Sequence, residues 1–395
     1  MTDTNYWVLP DGVSEALPDE AENMEALRRQ LIDTYKSWGY RFVMPPLVEY
    51  MDSLRTGVGS ILDLQTFKVT DQLSGRQLGI RADITPQVAR IDAHGLKSKS
   101  PNRLCYIDRV LRTKSQHFEG SRSPLQVGAE LFGSIGIESD CELISLMLET
   151  LNTAGIQEIV LDIGHVDIFR SLSAQAELSE TEEKQFFDML NRKSIPEIDK
   201  WIKDCNLPTP IGKMLAALPR LNGSVEQLDK AKEALSTASR DVQVALDYLT
   251  ALTKRLQENW PQLTIHIDLS ELRGYTYHTG IVYAAYVPSS GREIARGGRY
   301  DDIGKHFGNA RPATGFSTNL GLLLEMGNYQ QAHKKPAILA PAKVGASLNK
   351  FIKQLRNNGE VVIRQLDDQT EEDCETLNCN RKIVLENDQW VIVDI

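Results

Sequence analysis

Strand-like runs stand on both sides of a long helix-rich stretch, and this order constrains the fold more than any other feature of the chain. RLCYIDRVLR (103–112) and PLQVGAELFG (124–133) read as two antiparallel strands joined by a long connection, and EIVLDIGH (158–165) as a buried strand. From about 168 to 260 the texture changes to charged, Ala- and Leu-rich helical stretches such as EQLDKAKEALSTASRDVQVALDYLTALTKRLQEN (226–259). Strand character returns with LTIHIDLSE (263–271), YHTGIVYAAYV (277–287), a PSSG turn and REIARGGRYDD (292–302). A sheet begun before residue 170 must therefore be completed after residue 260, with the helices between as an insertion.

The rest of the chain fits around that sheet. Met24, Leu27, Leu31, Tyr35 and Trp38 recur at helical spacing ahead of Gly39, which predicts a long amphipathic helix over 19–38. RFVMPPLVEY (41–50) is too Pro-rich for a central strand, while QTFKVTD and RQLGIRAD, split at Ser74-Gly75, read as a hairpin. Ser139 and Glu142 form a capping box at the head of a helix running to Gly155. GFSTNLGLLLEMG (315–327) reads as helix, and the tail as a strand (AILA), a helix closed at Gly359, and further strands. The expected domains are a core of 1–167 and 261–328, a helical insertion of 168–260, and a small α/β domain of 336–395.

A formal charge of -10 argues against a general nucleic-acid face, which needs a broad basic footprint. Cys105, Cys141, Cys205, Cys374 and Cys379 are scattered without CxxC spacing, so neither a disulfide framework nor a zinc site is expected, and a reducing cytoplasm fits. No basic start precedes an apolar run at the N-terminus, and no eighteen apolar residues occur together, so neither export nor a membrane is expected. The histidines are dispersed, and no phosphate cradle, nucleophile elbow or dinucleotide fingerprint occurs. No metal or cofactor is predicted.

Three polar clusters remain: RADITPQ (81–87), the basic loop holding Arg109, Arg112, Lys114 and Arg122, and LRGYTYHTG (272–280). On a strand, Gln126, Gly128 and Glu130 share one face. That face is either the floor of a small-ligand site or merely wet. The loop is either functional or solvated. LRGYTYHTG sets Arg273 and ring side chains around glycines, as a pocket wall or as ordinary aromatic packing.

Taken together, these segments resemble the class II aminoacyl-tRNA synthetase fold, and within it histidyl-tRNA synthetase. Gly39-Tyr40 through Pro46 and Glu49 looks like the first, dimer-forming motif, residues 108–130 like the second, and ATGFSTNLG (313–321) like the third. RADIT, ELRGYTYHTG and ARGGRYD match histidine-specific signatures over a resemblance of about residues 5–325. The resemblance implies an α+β fold, a six-stranded antiparallel sheet flanked by helices, and a homodimer. It also implies that Asp83, Thr85 and Gln126 hold the α-ammonium of free histidine, Arg273 and Arg112 face its carboxylate, Glu130 takes the imidazole N–H, and Tyr277 and His278 form an aromatic wall. Asp83 replaces the usual Glu, and His278 stands where a second Tyr is usual.

The ATP-binding pattern is broken. Arg112-Thr113-Lys114 places a base where the second motif has an acid, and Leu322 stands where the third motif has a phosphate-clamping Arg. A chain that keeps an amino-acid pocket without those anchors resembles the regulatory subunit of short-form ATP phosphoribosyltransferase, to whose phrasing RADITPQVARI and GYTYHTGIVY are closer. That resemblance implies a non-catalytic protein that activates a catalytic partner subunit in a hetero-octamer of four chains of each kind. It would relay feedback inhibition by histidine at the first step of histidine biosynthesis, without binding tRNA. The alternative is a histidyl-tRNA synthetase with an atypical ATP site.

Overall fold

The two runs around the basic loop form strands Asn102–Arg109 and Leu125–Phe132, antiparallel from Asn102 opposite Phe132 to Arg109 opposite Leu125, in a computed structural model of the chain. The structure describes residues 8–55, 60–115, 120–272, 274–275, 277–308, 310–329, 335–343, 345–366 and 376–395. The chain forms two compact units, Met1–Tyr329 and Gln330–Ile395.

Among the described residues the first unit is built on a nine-stranded sheet. Its order is Arg41–Phe42, Asn102–Arg109, Leu125–Phe132, Ala313–Asn319, Arg292–Arg299, Ile281–Val287, Val160–His165, Thr264–Asp268 and Asn222–Gly223. Every pairing from Asn102–Arg109 to Val160–His165 is antiparallel. This is the expected six-stranded sheet, extended by parallel strands at Arg41–Phe42 and Thr264–Asp268. The sheet begun before residue 170 is thus completed by strands that follow the inserted helices.

The sheet is covered where apolar periodicity allows. Helix Pro18–Ser37 buries Leu27, Leu31 and Tyr35, and helix Ile137–Thr153 buries Leu143, Ile144, Met147, Leu148 and Leu151. Each such side chain contributes about 1.5–3 kcal/mol when taken out of water. Phe186, Leu215, Leu246 and Leu249 of the intervening helices belong to the same continuous core. A smaller sheet pairs Gln77–Ile80 with both Val48–Tyr50 and Phe67–Thr70 and delivers RADITPQ into helix Thr85–Arg90. In the second unit, Ala337–Ala340 lies parallel to Val362–Arg364 and Cys379–Glu386, and helix Ala346–Asn357 packs Leu348 and Ile352 against Ile338 and Ile383.

Two local expectations fail. Ser139 and Glu142 do not form a capping box, because the helix begins at Ile137 after an extended Gly136. Glu142 instead accepts two hydrogen bonds from Arg103, each 2.7 Å, and one from the Tyr40 hydroxyl, and a bidentate ionic partner outcompetes a backbone cap. GFSTNLGLLLEMG is helical only from Leu320. Ala313–Asn319 is a strand inserted between Leu125–Phe132 and Arg292–Arg299, and the Asn319 side chain accepts from the Gly321 N–H at 3.0 Å to start the helix.

A buried ion pair joins sheet and helices. Arg299 donates to Asp140 from Nη2 at 2.9 Å and from Nε at 3.1 Å, and to Ser139 Oγ and the Ser134 carbonyl, while Tyr248 of helix Arg240–Asn259 donates to the same carboxylate. The Asp140 side chain is 0% exposed. Removing Asp140 leaves the buried Arg299 with only the longer, more exposed ionic contact to Asp301 at 3.3 Å, so Asp140→Ala should lower stability to unfolding by about 3–5 kcal/mol. Urea denaturation beside wild type measures it.

Candidate functional site

The face that Gln126, Gly128 and Glu130 share is buried and contributes to the lining of a cavity. Gln126 is 3% and Glu130 1% exposed, and both line a cavity of about 720 Å³ on the sheet. The glycine between them leaves no open gap. Register sets Tyr106 opposite Gly128, and a side chain at Gly128 would overlap the Tyr106 ring. Gly315, opposite Glu130 on the other neighbouring strand, is equally required, since a Cβ there would strike the Glu130 carboxylate.

Two phenols solvate that carboxylate. Tyr106 Oη donates to Glu130 Oε1 at 3.0 Å, and the Tyr300 hydroxyl donates to Oε2. Burial and the neighbouring Glu130 hold both phenols well above the ordinary tyrosine range, so both stay protonated donors. Burial also pushes the Glu130 carboxyl up to about 8, against the opposing pull of the two hydroxyls. A ligand that brings an N–H or a positive charge to this point meets a group ready to ionise.

Asp83, Thr85 and Gln126 come together above Glu130. Asp83 Oδ1 accepts from Gln126 Nε2 at 3.0 Å and from the Thr85 N–H at 2.9 Å, while Gln126 Oε1 accepts from the Ile84 N–H at 3.1 Å. Thr85 Oγ1 lies 3.2 Å from Tyr106 Oη, which ties this cluster to the Glu130 floor. The short helix Thr85–Arg90 therefore begins on the pocket rim.

Arg112 is buried on the loop side, with Nε donating to the Ala82 carbonyl at 3.1 Å. Burial lowers its pKa, and nearby Asp83 pulls the other way. Elsewhere on the lining, the Tyr277 and His278 rings lie against each other, tilted by 33° with centroids 4.2 Å apart, and the Tyr277 ring lies 5.8 Å from that of Tyr300. His278 Nδ1 meets the Arg299 carbonyl at 3.1 Å, and burial pulls its pKa down to about 4. The wall is thus neutral near pH 7 and adds no repulsion toward a cationic ligand. The cavity brings together Asp83, Thr85, Arg112, Gln126, Glu130, Tyr277 and His278. Arg273 lies outside the described residues.

Sequence reasoning missed Tyr106, Tyr300 and Arg296, all of which line or abut the site. Tyr106 was visible as a strand residue, but its partner Gly128 is defined only by register. Leu322 lines the same cavity. In the basic loop, Arg122 is partly buried and its Nε donates to the Arg112 carbonyl at 3.0 Å, whereas Lys114 is exposed. Among the described residues no three His, Cys, Asp or Glu side chains are placed to share a metal ion, and no helix is long and apolar enough to cross a membrane.

Known protein families match the chain along most of its length. A sequence model for histidyl-tRNA synthetase matches residues 12–323, and one for the ATP phosphoribosyltransferase subunit HisZ C-terminal domain matches residues 335–393. The ATP phosphoribosyltransferase regulatory subunit of Thioalkalivibrio sulfidiphilus is 52% identical over 100% of both chains, and that of Ectopseudomonas mendocina 47% identical over 100% of both. A crystal structure from Bacillus halodurans, titled an ATP phosphoribosyltransferase regulatory subunit/histidyl-tRNA synthetase, superposes with a TM-score of 0.83 at 28% identity, covering 97% of this chain and 99% of that one. Histidyl-tRNA synthetase from a Nostoc species shares the fold, with a TM-score of 0.78 at 20% identity over 98% and 97% of the two chains.

The buried carboxyl has a measurable consequence. Glu130 keeps its proton in the folded chain up to about pH 8, but ionises near its ordinary 4.5 when unfolded. The folded state binds the extra proton between those limits, so this group erodes stability as pH rises through them. Urea unfolding from pH 5 to pH 8 should show wild type losing stability relative to Glu130→Gln. A difference that stays constant over that range would contradict a protonated, buried carboxyl.

Proposed function

The chain belongs to the family of ATP phosphoribosyltransferase regulatory subunits, and on that premise we propose that its cavity is a receptor for free histidine whose occupancy inhibits a separate catalytic subunit. The observation that carries this reading is the fully buried Glu130 carboxyl, held by two phenols beneath a rim that offers both acid and base. Glu130 takes the imidazole N–H, and Asp83, Thr85 and Gln126 take the α-ammonium. Arg112 and Arg273 take the carboxylate, with Tyr277 and His278 against the ring. A zwitterion needs an anion and a cation at fixed separation, and charge-assisted hydrogen bonds are the strong ones. An analogue lacking the ring N–H would forgo that hydrogen bond to the buried group.

Regulation rather than catalysis fits the presence of Leu322 in this cavity. Phosphoryl clamps act where charge develops in a transition state, and Leu322 supplies no charge there. Histidine that binds one state of the assembly better by roughly 1–3 kcal/mol shifts the equilibrium between the states about 5- to 150-fold, and partner ligands favouring that state must bind tighter in its presence. The assembly is a hetero-octamer of four regulatory and four catalytic chains in the cytoplasm, built on regulatory homodimers. The unliganded subunit activates its partner, and no tRNA is bound.

Calorimetric titration of the chain with histidine and, separately, with ATP tests the receptor. Histidine should bind and ATP should not, while production of histidyl-adenylate by the chain alone would replace this reading with that of a synthetase. Glu130→Ala and Asp83→Asn should each weaken histidine about 10- to 150-fold, the cost of removing a hydrogen-bond partner of a charged group. Bound imidazole and Glu130 share one proton. Free imidazole protonates below about 6.5 and Glu130 loses its proton above about 8. Affinity should therefore be flat between those values and fall on either side, as calorimetry across pH 5.5–9 would record.

A further inference from the structure

Neighbouring residues of the segment carrying the aromatic wall look in opposite directions. Gly274, Tyr277 and His278 line the cavity, whereas Tyr275 turns away from it and packs on the helices that follow Val160–His165. Its hydroxyl donates to Glu183 on helix Glu180–Asn191. Its ring stands edge-on to Phe169 of helix Val166–Gln175, with centroids 5.1 Å apart, and beside Phe187 at 5.5 Å. The Arg170 guanidinium lies 5.2 Å from the same ring and reaches the cavity wall directly, its Nη2 donating to the His278 carbonyl at 3.1 Å.

The contacts continue outward. Phe169 stacks on Phe186 at 5.8 Å, and Phe186 stacks on Trp201 of helix Ile195–Asp204 at 5.2 Å. A row of packed rings therefore runs from the wall of the pocket across successive inserted helices. Packed rings and fixed hydrogen bonds transmit displacement because interiors have little free volume to absorb it. Tyr275 is the member that shares a segment with the ligand wall, and Arg170 is a second, parallel tie.

We propose that Tyr275 is a positioning residue that couples histidine occupancy to the inserted helices, fixing Tyr277 and His278 from behind and passing their ordering on through Phe169, Phe186 and Glu183. The proposal rests on the reading of the cavity as a histidine site. It makes the inserted helices the region in which the bound and free states of this chain differ beyond the pocket.

Hydrogen exchange read by mass spectrometry, with calorimetry on the same samples, tests it. In the wild-type chain, saturating histidine should slow exchange in peptides from 166–191 as well as in the pocket strands. Tyr275→Ala should weaken histidine about two- to thirtyfold, the range for residues that modulate coupling without touching ligand, and at saturation should retain pocket protection but lose that of 166–191. Tyr275→Phe keeps the ring and should restore affinity to within about twofold of wild type. Should Tyr275→Ala not fold, Glu183→Ala combined with Tyr275→Phe removes the hydroxyl tie with the rings in place, and a reduced histidine-dependent protection of 180–191 is expected. The proposal is overturned if wild type binds histidine with no change in 166–191. It is also overturned if Tyr275→Ala, or the Glu183→Ala and Tyr275→Phe double variant where Tyr275→Ala does not fold, binds histidine and protects 166–191 as wild type does. Absence of any histidine binding by wild type would refute the receptor reading itself, an outcome that calorimetry reports separately.

Discussion

A carboxylate in the middle of a sheet is costly unless its lone pairs are satisfied, and the centre of this protein is arranged around meeting that cost at Glu130. Two tyrosine hydroxyls reach it from different strands or strand ends. Gly128 leaves room for one ring and Gly315 for the carboxylate itself. None of these features would be useful alone. The cost is not fully offset, since the carboxyl remains protonated to about pH 8, and that residual unfavourable energy gives a cationic or N–H-bearing ligand something to relieve.

The surrounding architecture keeps this centre rigid while leaving one side open. The Arg299–Asp140 pair locks the strand next to Ala313–Asn319 to helix Ile137–Thr153, and Tyr248 brings an inserted helix to the same carboxylate. Arg299 also offers its carbonyl to His278, so the structural brace and the pocket wall meet at one residue. The inserted helices are accordingly part of the support of the site, through Asp140 on one side and Tyr275 on the other.

Much of the architecture was legible in the sequence because it rests on local periodicity. The alternation in PLQVGAELFG, the helical spacing from Met24 to Tyr35 and the turn at PSSG each fix an element without reference to the rest of the chain. GFSTNLG was misread because a strand buried on both faces shows no alternation, and its small residues answer to neighbours that lie far away in sequence. Ser139 and Glu142 had the spacing of a cap, but an arginine on a distant strand claimed the glutamate.

The site shows the same division. Asp83, Gln126 and Glu130 carried a visible polar signal, and resemblance grouped them with Arg112, Tyr277 and His278, yet spacing alone left open whether their face was wet or buried. The amino-acid sequence by itself determined most strands and helices, Ala313–Asn319 excepted, and which polar groups interrupt them, since those properties depend mainly on neighbours a few residues away. Only the tertiary structure decided that Tyr106 would fill the space over Gly128, that Tyr300 would reach the same carboxylate, and that Tyr275 would face away from the pocket. Register and the approach of distant segments are set by packing the whole core, and no local pattern encodes them.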